Sequence, residues 1–348
     1  MATISDVAKR AGVSVATVSR VINGVPSVQA TSIEAVNRAI AELQYRPNSI
    51  GRNLRRAETN RIIVLQPSIA NPFFSKVVRG IEAEARESGY QIMLCDTDND
   101  PAREQMYLDM LECRVADGAI FITSCKEPSA YRSIAERHPV IHCCEFYDDD
   151  ALSSVTMDNV AAAKAAIEYL IGIGHHRIGF ISAYNKYLTV GQRYRGYLQA
   201  LADAGIQAEP TLTLEAGPIH DDQIWDQTLK CAAGFARMKN PPSAIFCSSD
   251  MVAIATIHAL KAEGLRVPDD ISVMGFDDIE MARLFDPGIT TVKIPKHVIG
   301  REAFRLLTKR LEQPNAPIER IIAEHSIVVR SSTASLIERQ SPAGFNNS

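Results

Sequence analysis

Val15, Ala16, Ser19 and Arg20 fall within six residues, at a spacing that gathers them on one side of a helix. Their chemistry is that of a reader of base edges. Val15 and Ala16 can touch thymine methyl groups, and Arg20 can give two hydrogen bonds to guanine O6 and N7. Thr17, Asn23, Ser27 and Ser32 offer hydroxyls and an amide suited to phosphate oxygens, contacts that position a protein without reading sequence. Ile4, at the head of the preceding helix, completes this part of the candidate set. For Thr17 and Ser19 taken singly, solvation of a helix face is an equally open role.

The elements that must hold these residues are short. Ile4, Val7, Ala8 and Ala11 recur at helical spacing with Ser5 as an expected cap, and Gly12 ends that helix in a turn that tolerates left-handed backbone. Ser14 is an expected cap for the next helix, whose Val18, Val21 and Ile22 face inward. A third helix, about 30–44, turns Ile33, Val36, Ile40 and Leu43 to the same core. Two close helices around a glycine turn form a unit whose second helix enters the major groove. After Tyr45-Arg46-Pro47-Asn48 comes a short basic segment, 49–56, with Arg52, Arg55 and Arg56 around Leu54. It is too short to be a stable helix alone. On DNA it can fold, with Leu54 wedged between base pairs in the minor groove and Arg55 beside it; an ordinary charged linker is the other reading. Residues 1–61 hold nine Lys/Arg against four Asp/Glu, whereas the whole chain of 348 residues holds 37 against 41. A basic head on an acidic body suits a polyanionic partner.

Beyond residue 61, strands alternate with helices. Strands are predicted at 62–65, 91–95, 118–123, 140–143, 177–181, 212–214, 244–247 and 271–275, and helices at 75–88, 102–113, 160–172, 193–204, 223–238, 251–263 and 297–312. The alternation implies parallel sheets, in two similar lobes near 61–158 and 159–290, with Thr291-Val292 and the last helix crossing back. Ligands of such sheets sit beyond the carboxyl ends of the strands. There lie Phe73 and Phe74, rings able to stack on a ligand, although one of the two is read as core. Arg193 lies there with its forked donors, and Asp277 with a carboxylate able to accept two hydroxyls. Glu145, Tyr187, Thr189 and Asp250 form a second tier, for which a helix cap or an exposed loop is as good a reading.

Other chemistry finds little support. The seven cysteines stand mostly in apolar runs, with no Cys-x-x-Cys, and read as buried reduced thiols. His175-His176 precede a strand and read as structural; Asp148-Asp149-Asp150 reads as a solvated loop. Gly-x-Ser-x-Gly and Walker-type loops are absent. No enzyme, cofactor or metal is expected. There is no apolar run of membrane-spanning length and no basic start followed by an apolar stretch, so no membrane role and a cytoplasmic placement are expected.

The segments Val15–Asn23, Tyr45–Asn48 through Leu54, Asn71-Pro-Phe-Phe74, Gly174–Gly179, Arg193–Tyr197, Val267–Asp270 and Gly275-Phe-Asp277 resemble the LacI/GalR family of bacterial transcription regulators, over nearly the whole chain to about residue 333. Ala70–Ser75 and Cys144-Glu-Phe146 are similar to its cytidine-responsive members. The resemblance implies an all-α helix-turn-helix head (1–46), a hinge (47–60), a two-lobed α/β body with parallel sheets like those of periplasmic binding proteins (61–333), and a flexible tail (334–348). It implies that Arg193 and Asp277 bind an effector between the lobes, a sugar or nucleoside, and that a homodimer meets a pseudo-palindromic double-stranded operator. At Gly217-Pro-Ile-His220 the chain departs from sugar- and purine-binding relatives, with Ile219 where they carry an aromatic ring. Two other readings keep part of this: a protein corepressor, as in carbon-catabolite control, or a transport protein or enzyme on the same two-lobed scaffold.

Overall fold

The computed structural model describes residues 2–45, 58–125, 128–145, 152–182, 188–216 and 221–337. Leu54, Arg55 and their basic neighbours, Asp148–Asp150, Tyr187, Gly217–His220 and the tail from 338 lie outside the described residues. Two units divide the chain, Met1–Thr59 and Asn60–Ser348.

In the first unit, helices Ile4–Ala11, Val15–Ile22 and Ala30–Glu42 enclose Val7, Ala8, Val18, Val36 and Ala39. These side chains are small, so the helices approach closely, and Ile4, Ala11, Val21, Ile22, Ile40, Leu43 and Tyr45 seal the margin. Ser5 does not cap the first helix. Thr3 does: its hydroxyl accepts from the Asp6 N–H at 3.3 Å while the Asp6 carboxylate accepts from the Thr3 N–H at 2.8 Å. This reciprocal box satisfies two orphan donors where Ser5 could satisfy one. Gly12 ends the helix at φ 69°, and Ser14 caps the next, its Oγ accepting from the Thr17 N–H at 3.1 Å.

The second unit holds two six-stranded sheets. The first runs β11 (Arg320–Ala323), β5 (Ser153–Met157), β4 (Val140–Cys143), β3 (Gly118–Phe121), β1 (Arg61–Gln66), β2 (Gln91–Asp96), all parallel. The second repeats the pattern: β12 (Ser326–Val328), β10 (Thr290–Lys293), β9 (Ser272–Asp277), β8 (Ala244–Cys247), β6 (Ile178–Ser182), β7 (Thr213–Glu215), with only β12 antiparallel. Ile62-Ile63-Val64-Leu65 is buried throughout, as a strand covered on both faces requires. In each lobe the strand order reverses beside the first strand, and that switch point opens a crevice at the carboxyl ends.

The chain crosses between lobes three times: from β5 to helix Asn159–Gly172, from β10 to helix Lys296–Glu312, and from β11 to β12. Thr291-Val292 therefore does not cross back; it pairs with β9, and the crossing begins after Lys293. The returning helix packs on Pro72–Glu87 so tightly that a Cβ on Gly300 would lie 2.1 Å from the Val77 carbonyl oxygen, and one on Gly80 2.2 Å from that of His297. β5, β11, β12 and the helices Pro128–Ala135 and Glu280–Leu284 were not predicted. β5 reads Ser-Ser-Val-Thr-Met, and its hydroxyl-bearing residues are buried all the same. The helix expected from 193 starts at Leu188. Thr189 and Gly191 have poor helix propensity, and burial of Val190 overrides them. His175 is buried, with Nδ1 on Ser243 Oγ at 3.0 Å and Nε2 on the Ala334 carbonyl at 3.1 Å, and the seven cysteines are free.

Candidate functional site

On helix Val15–Ile22, Val18 points into the head's core while Val15, Ala16 and Arg20 are exposed on the opposite side, with Ser19 half-buried between them. Val15, a large apolar side chain at the helix start, is 44 % exposed. The Asn23 amide folds back on the helix end, donating to the Ser19 carbonyl at 2.7 Å, and Thr17 Oγ1 lies 2.9 Å from Ser14 Oγ. Ser27 is exposed, and Ile4 and Ser32 are half-buried. The helix therefore offers a short apolar and cationic edge from its first two turns, with hydroxyls beside it.

In the body, a cleft of about 300 Å³ lies at the carboxyl ends of strands from both sheets. Phe73, Phe74, Glu145, Thr189, Arg193 and Asp277 all line it. The two phenylalanines meet edge to face at 5.3 Å; Phe73 belongs to the core and Phe74 is less buried. Asn71 caps their helix, accepting from the Phe73 N–H at 3.0 Å, and so sets both rings at the cleft.

Arg193 is the buried cation of the site. Its Nε donates to Asn159 Oδ1 at 3.0 Å, Nη1 donates to the Ser248 carbonyl, Nη2 lies 3.4 Å from Asp277 Oδ1, and its guanidinium carbon sits 3.8 Å from the Phe276 ring centre. Asp277 ends β9 at φ 113°, and Asp278 follows at φ 53°. Few non-glycine residues adopt such backbone. Lys296 holds it in place, its Nζ donating to both their carbonyls from the first turn of the crossing helix. Burial raises the Asp277 carboxyl to about 6, against the pull of Arg193 and Lys296. Burial likewise raises Glu145 to about 7, although the Ser124 N–H and Arg193 favour its charged form.

Asp250 departs from the expectation. It does not line the cleft. Its carboxylate accepts from the Ile279 N–H at 2.8 Å and from Thr291 Oγ1 at 2.6 Å, and a side chain on Gly275 would collide with it. Asp250 thus holds the turn that presents Asp277, and burial raises its carboxyl to about 8. Sequence reasoning missed Asn159, Ser248, Thr123 and Trp225, all of which line the cleft. Asn159 was visible only as a helix start, and Trp225, the chain's single tryptophan, supplies from helix Asp221–Ala236 an aromatic ring that position 219 does not.

Among the described residues no helix is long and apolar enough to cross a membrane. Residues 3–48 match the model of bacterial regulatory proteins, lacI family, and residues 167–333 that of a periplasmic binding protein-like domain. The HTH-type transcriptional repressor CytR of Escherichia coli (strain K12) is 34 % identical over 344 residues, covering 96 % of this chain and 97 % of that one. Among solved structures, the lac repressor dimer bound to operator and the anti-inducer ONPF matches with a TM-score of 0.84 at 25 % identity, over 96 % of this chain and 99 % of that one. A transcriptional regulator CelR–cellobiose complex matches at 0.71 and 28 %, over 95 % and 100 %. A helix-turn-helix head, two sheets of one topology and 34 % identity to a repressor over nearly its full length agree: the chain belongs to the lacI family of bacterial regulatory proteins.

Proposed function

We propose that this protein is a sequence-specific transcriptional repressor whose grip on DNA is set by a small molecule, a sugar or nucleoside, held between the lobes of its body. The observation that carries this reading is the buried Arg193–Asp277–Asn159 group in a cleft lined from both sheets, on the same chain as an exposed apolar and cationic helix edge. The rings of Phe74 and Trp225 can cover apolar faces of the ligand, and Asp277 can accept its hydroxyls. Because three crossings join the lobes, a ligand gripped by both favours one angle between them. It alters DNA affinity only as far as it prefers one of the two states. In the working assembly, two chains place their recognition helices on a pseudo-palindromic operator and their 47–60 segments, with Leu54, at its centre. A cytoplasmic, non-enzymatic role goes with this reading.

Footprinting on operator DNA tests it. Arg20→Ala and Leu54→Ala are each expected to weaken protection strongly, and unimpaired protection by both would overturn the reading. In thermal unfolding, D-ribose or cytidine at saturation is expected to raise the midpoint of the full chain.

A further inference from the structure

Among the described residues, the cleft holds unmatched acceptors and no uncommitted cation. Glu145 is 3 % exposed. Its Oε2 accepts from the Ser124 N–H at 3.1 Å, while Oε1 has no hydrogen-bond partner among the described residues. Thr123 Oγ1, buried in the same lining, is also without one. The neighbouring buried carboxylate, Glu104, shows what a closed site looks like here: it accepts from the Tyr131 hydroxyl at 2.7 Å and from the Cys125 N–H at 3.0 Å. Glu104 is satisfied by the fold, whereas Glu145, with the Ser124 and Thr189 N–H groups on one side, keeps Oε1 open.

The cations are engaged. All three nitrogens of Arg193 face Asn159, Ser248 and Asp277. Lys296 directs its ammonium to the carbonyls of Asp277, Asp278 and Ile294. Among the described residues, the lining sets Glu145 and Asp277 beside one guanidinium that is already paired, with Lys296 behind Asp277 and Asp98 held by Arg103. A buried acceptor without a donor is costly, and a ligand hydroxyl or amino group recovers that cost. An anionic group entering the same space meets carboxylates and, among the described lining residues, no uncommitted cation to take its charge.

We propose that Glu145 is a specificity-determining residue of the cleft: its open carboxyl oxygen accepts a hydrogen from a hydroxyl or amino group of the effector, and the site it builds rejects phosphorylated forms of the same molecule. The inference rests on the effector reading above and deepens it to uncharged, donor-rich ligands.

Isothermal titration calorimetry on the full chain tests it, with D-ribose, cytidine and adenosine as neutral probes and their 5-phosphate or 5′-monophosphate esters as charged ones. For wild type, each neutral probe that binds is expected to do so about a hundredfold more tightly than its ester. Glu145→Gln turns an amide donor toward the ligand and removes the charge. It is expected to weaken the neutral probe about tenfold and to narrow the gap to the ester by a similar factor. An ester that binds wild type as tightly as its neutral parent overturns the proposal, whether or not Glu145→Gln folds. So does a folded Glu145→Gln protein with both affinities unchanged. If none of the neutral probes binds wild type, the effector reading itself falls; if one binds and Glu145→Gln is indifferent, only the role of Glu145 falls.

Discussion

Gly300→Ala sets helix propensity against packing, and the structure decides the sign. In an open helix interior the change would stabilise by about 1 kcal/mol. At position 300 the new methyl would lie 2.1 Å from the Val77 carbonyl oxygen and 2.9 Å from the Ile81 N. Both are backbone atoms and cannot swing aside as a side chain could. Helices Lys296–Glu312 and Pro72–Glu87 must then part by about 1 Å, a gap that forfeits a quarter to a half of the dispersion well at each contact. The contacts affected include the buried Val77, Ile81, Ala303 and Phe304. Overpacking of this kind costs about 1–3 kcal/mol, so the variant is expected to be destabilised, with a midpoint lower by about 2–10 °C for a body of this size. Thermal unfolding followed by far-UV circular dichroism reads it. Gly234→Ala is the control, because a Cβ at Gly234 in helix Asp221–Ala236 meets nothing within 4 Å; it is expected to be neutral or stabilising. A Gly300→Ala protein as stable as wild type would refute the close approach of the two helices.

Other expectations follow from the same contacts. Ser14→Ala removes the cap of the recognition helix, at a cost of about 1 kcal/mol, and hydrogen exchange should show faster opening of residues 17–18 while the body is unchanged. Arg20→Ala should cost about 1–3 kcal/mol of operator affinity and relax selection at one base pair of each half-site; selection from randomised operators would show an unaltered preference if the arginine touches only phosphate. Burial raises Asp277, Glu145 and Asp250 to about 6, 7 and 8, above the usual carboxylate value near 4. The folded body therefore holds these protons more tightly than the unfolded chain does. The stability they contribute is fully present below about pH 4 and is lost as pH rises through 6 to 8. Between about pH 5 and pH 9 the melting temperature should fall, and Asp250→Asn should flatten the upper part of that fall; a rising wild-type profile would contradict the burial argument.

The head was legible because each of its features is local: apolar spacing, a glycine at positive φ, and a serine three residues before the amide it caps. The alternation of the body was legible for the same reason. β5 was not, because its burial comes from distant segments packed over and beside it, the helix Lys296–Glu312 among them, and its own residues are largely polar. The helix Leu188–Asp203 was placed five residues late, because Thr189 and Gly191 hide a start fixed by tertiary burial. Within the cleft, Arg193 and Asp277 could be picked out by their places after strands and by family resemblance. Asn159 could not, since its amide gains meaning only when folding brings it to a guanidinium 34 residues away. Asp250 shows the converse: a carboxylate at a strand end that the fold itself uses up, through Ile279 and Thr291.

The central claim is that a small molecule in the cleft sets DNA affinity. Fluorescence anisotropy tests it most directly, as the affinity of the full chain for its operator measured with and without a saturating neutral ligand, in wild type and in Asp277→Asn. Coupling of about 1–3 kcal/mol predicts an operator affinity changed by about 5- to 150-fold in wild type, and a change largely lost in the variant although it still binds DNA. Equal operator affinity with and without a ligand shown by calorimetry to occupy the wild-type cleft would contradict the account.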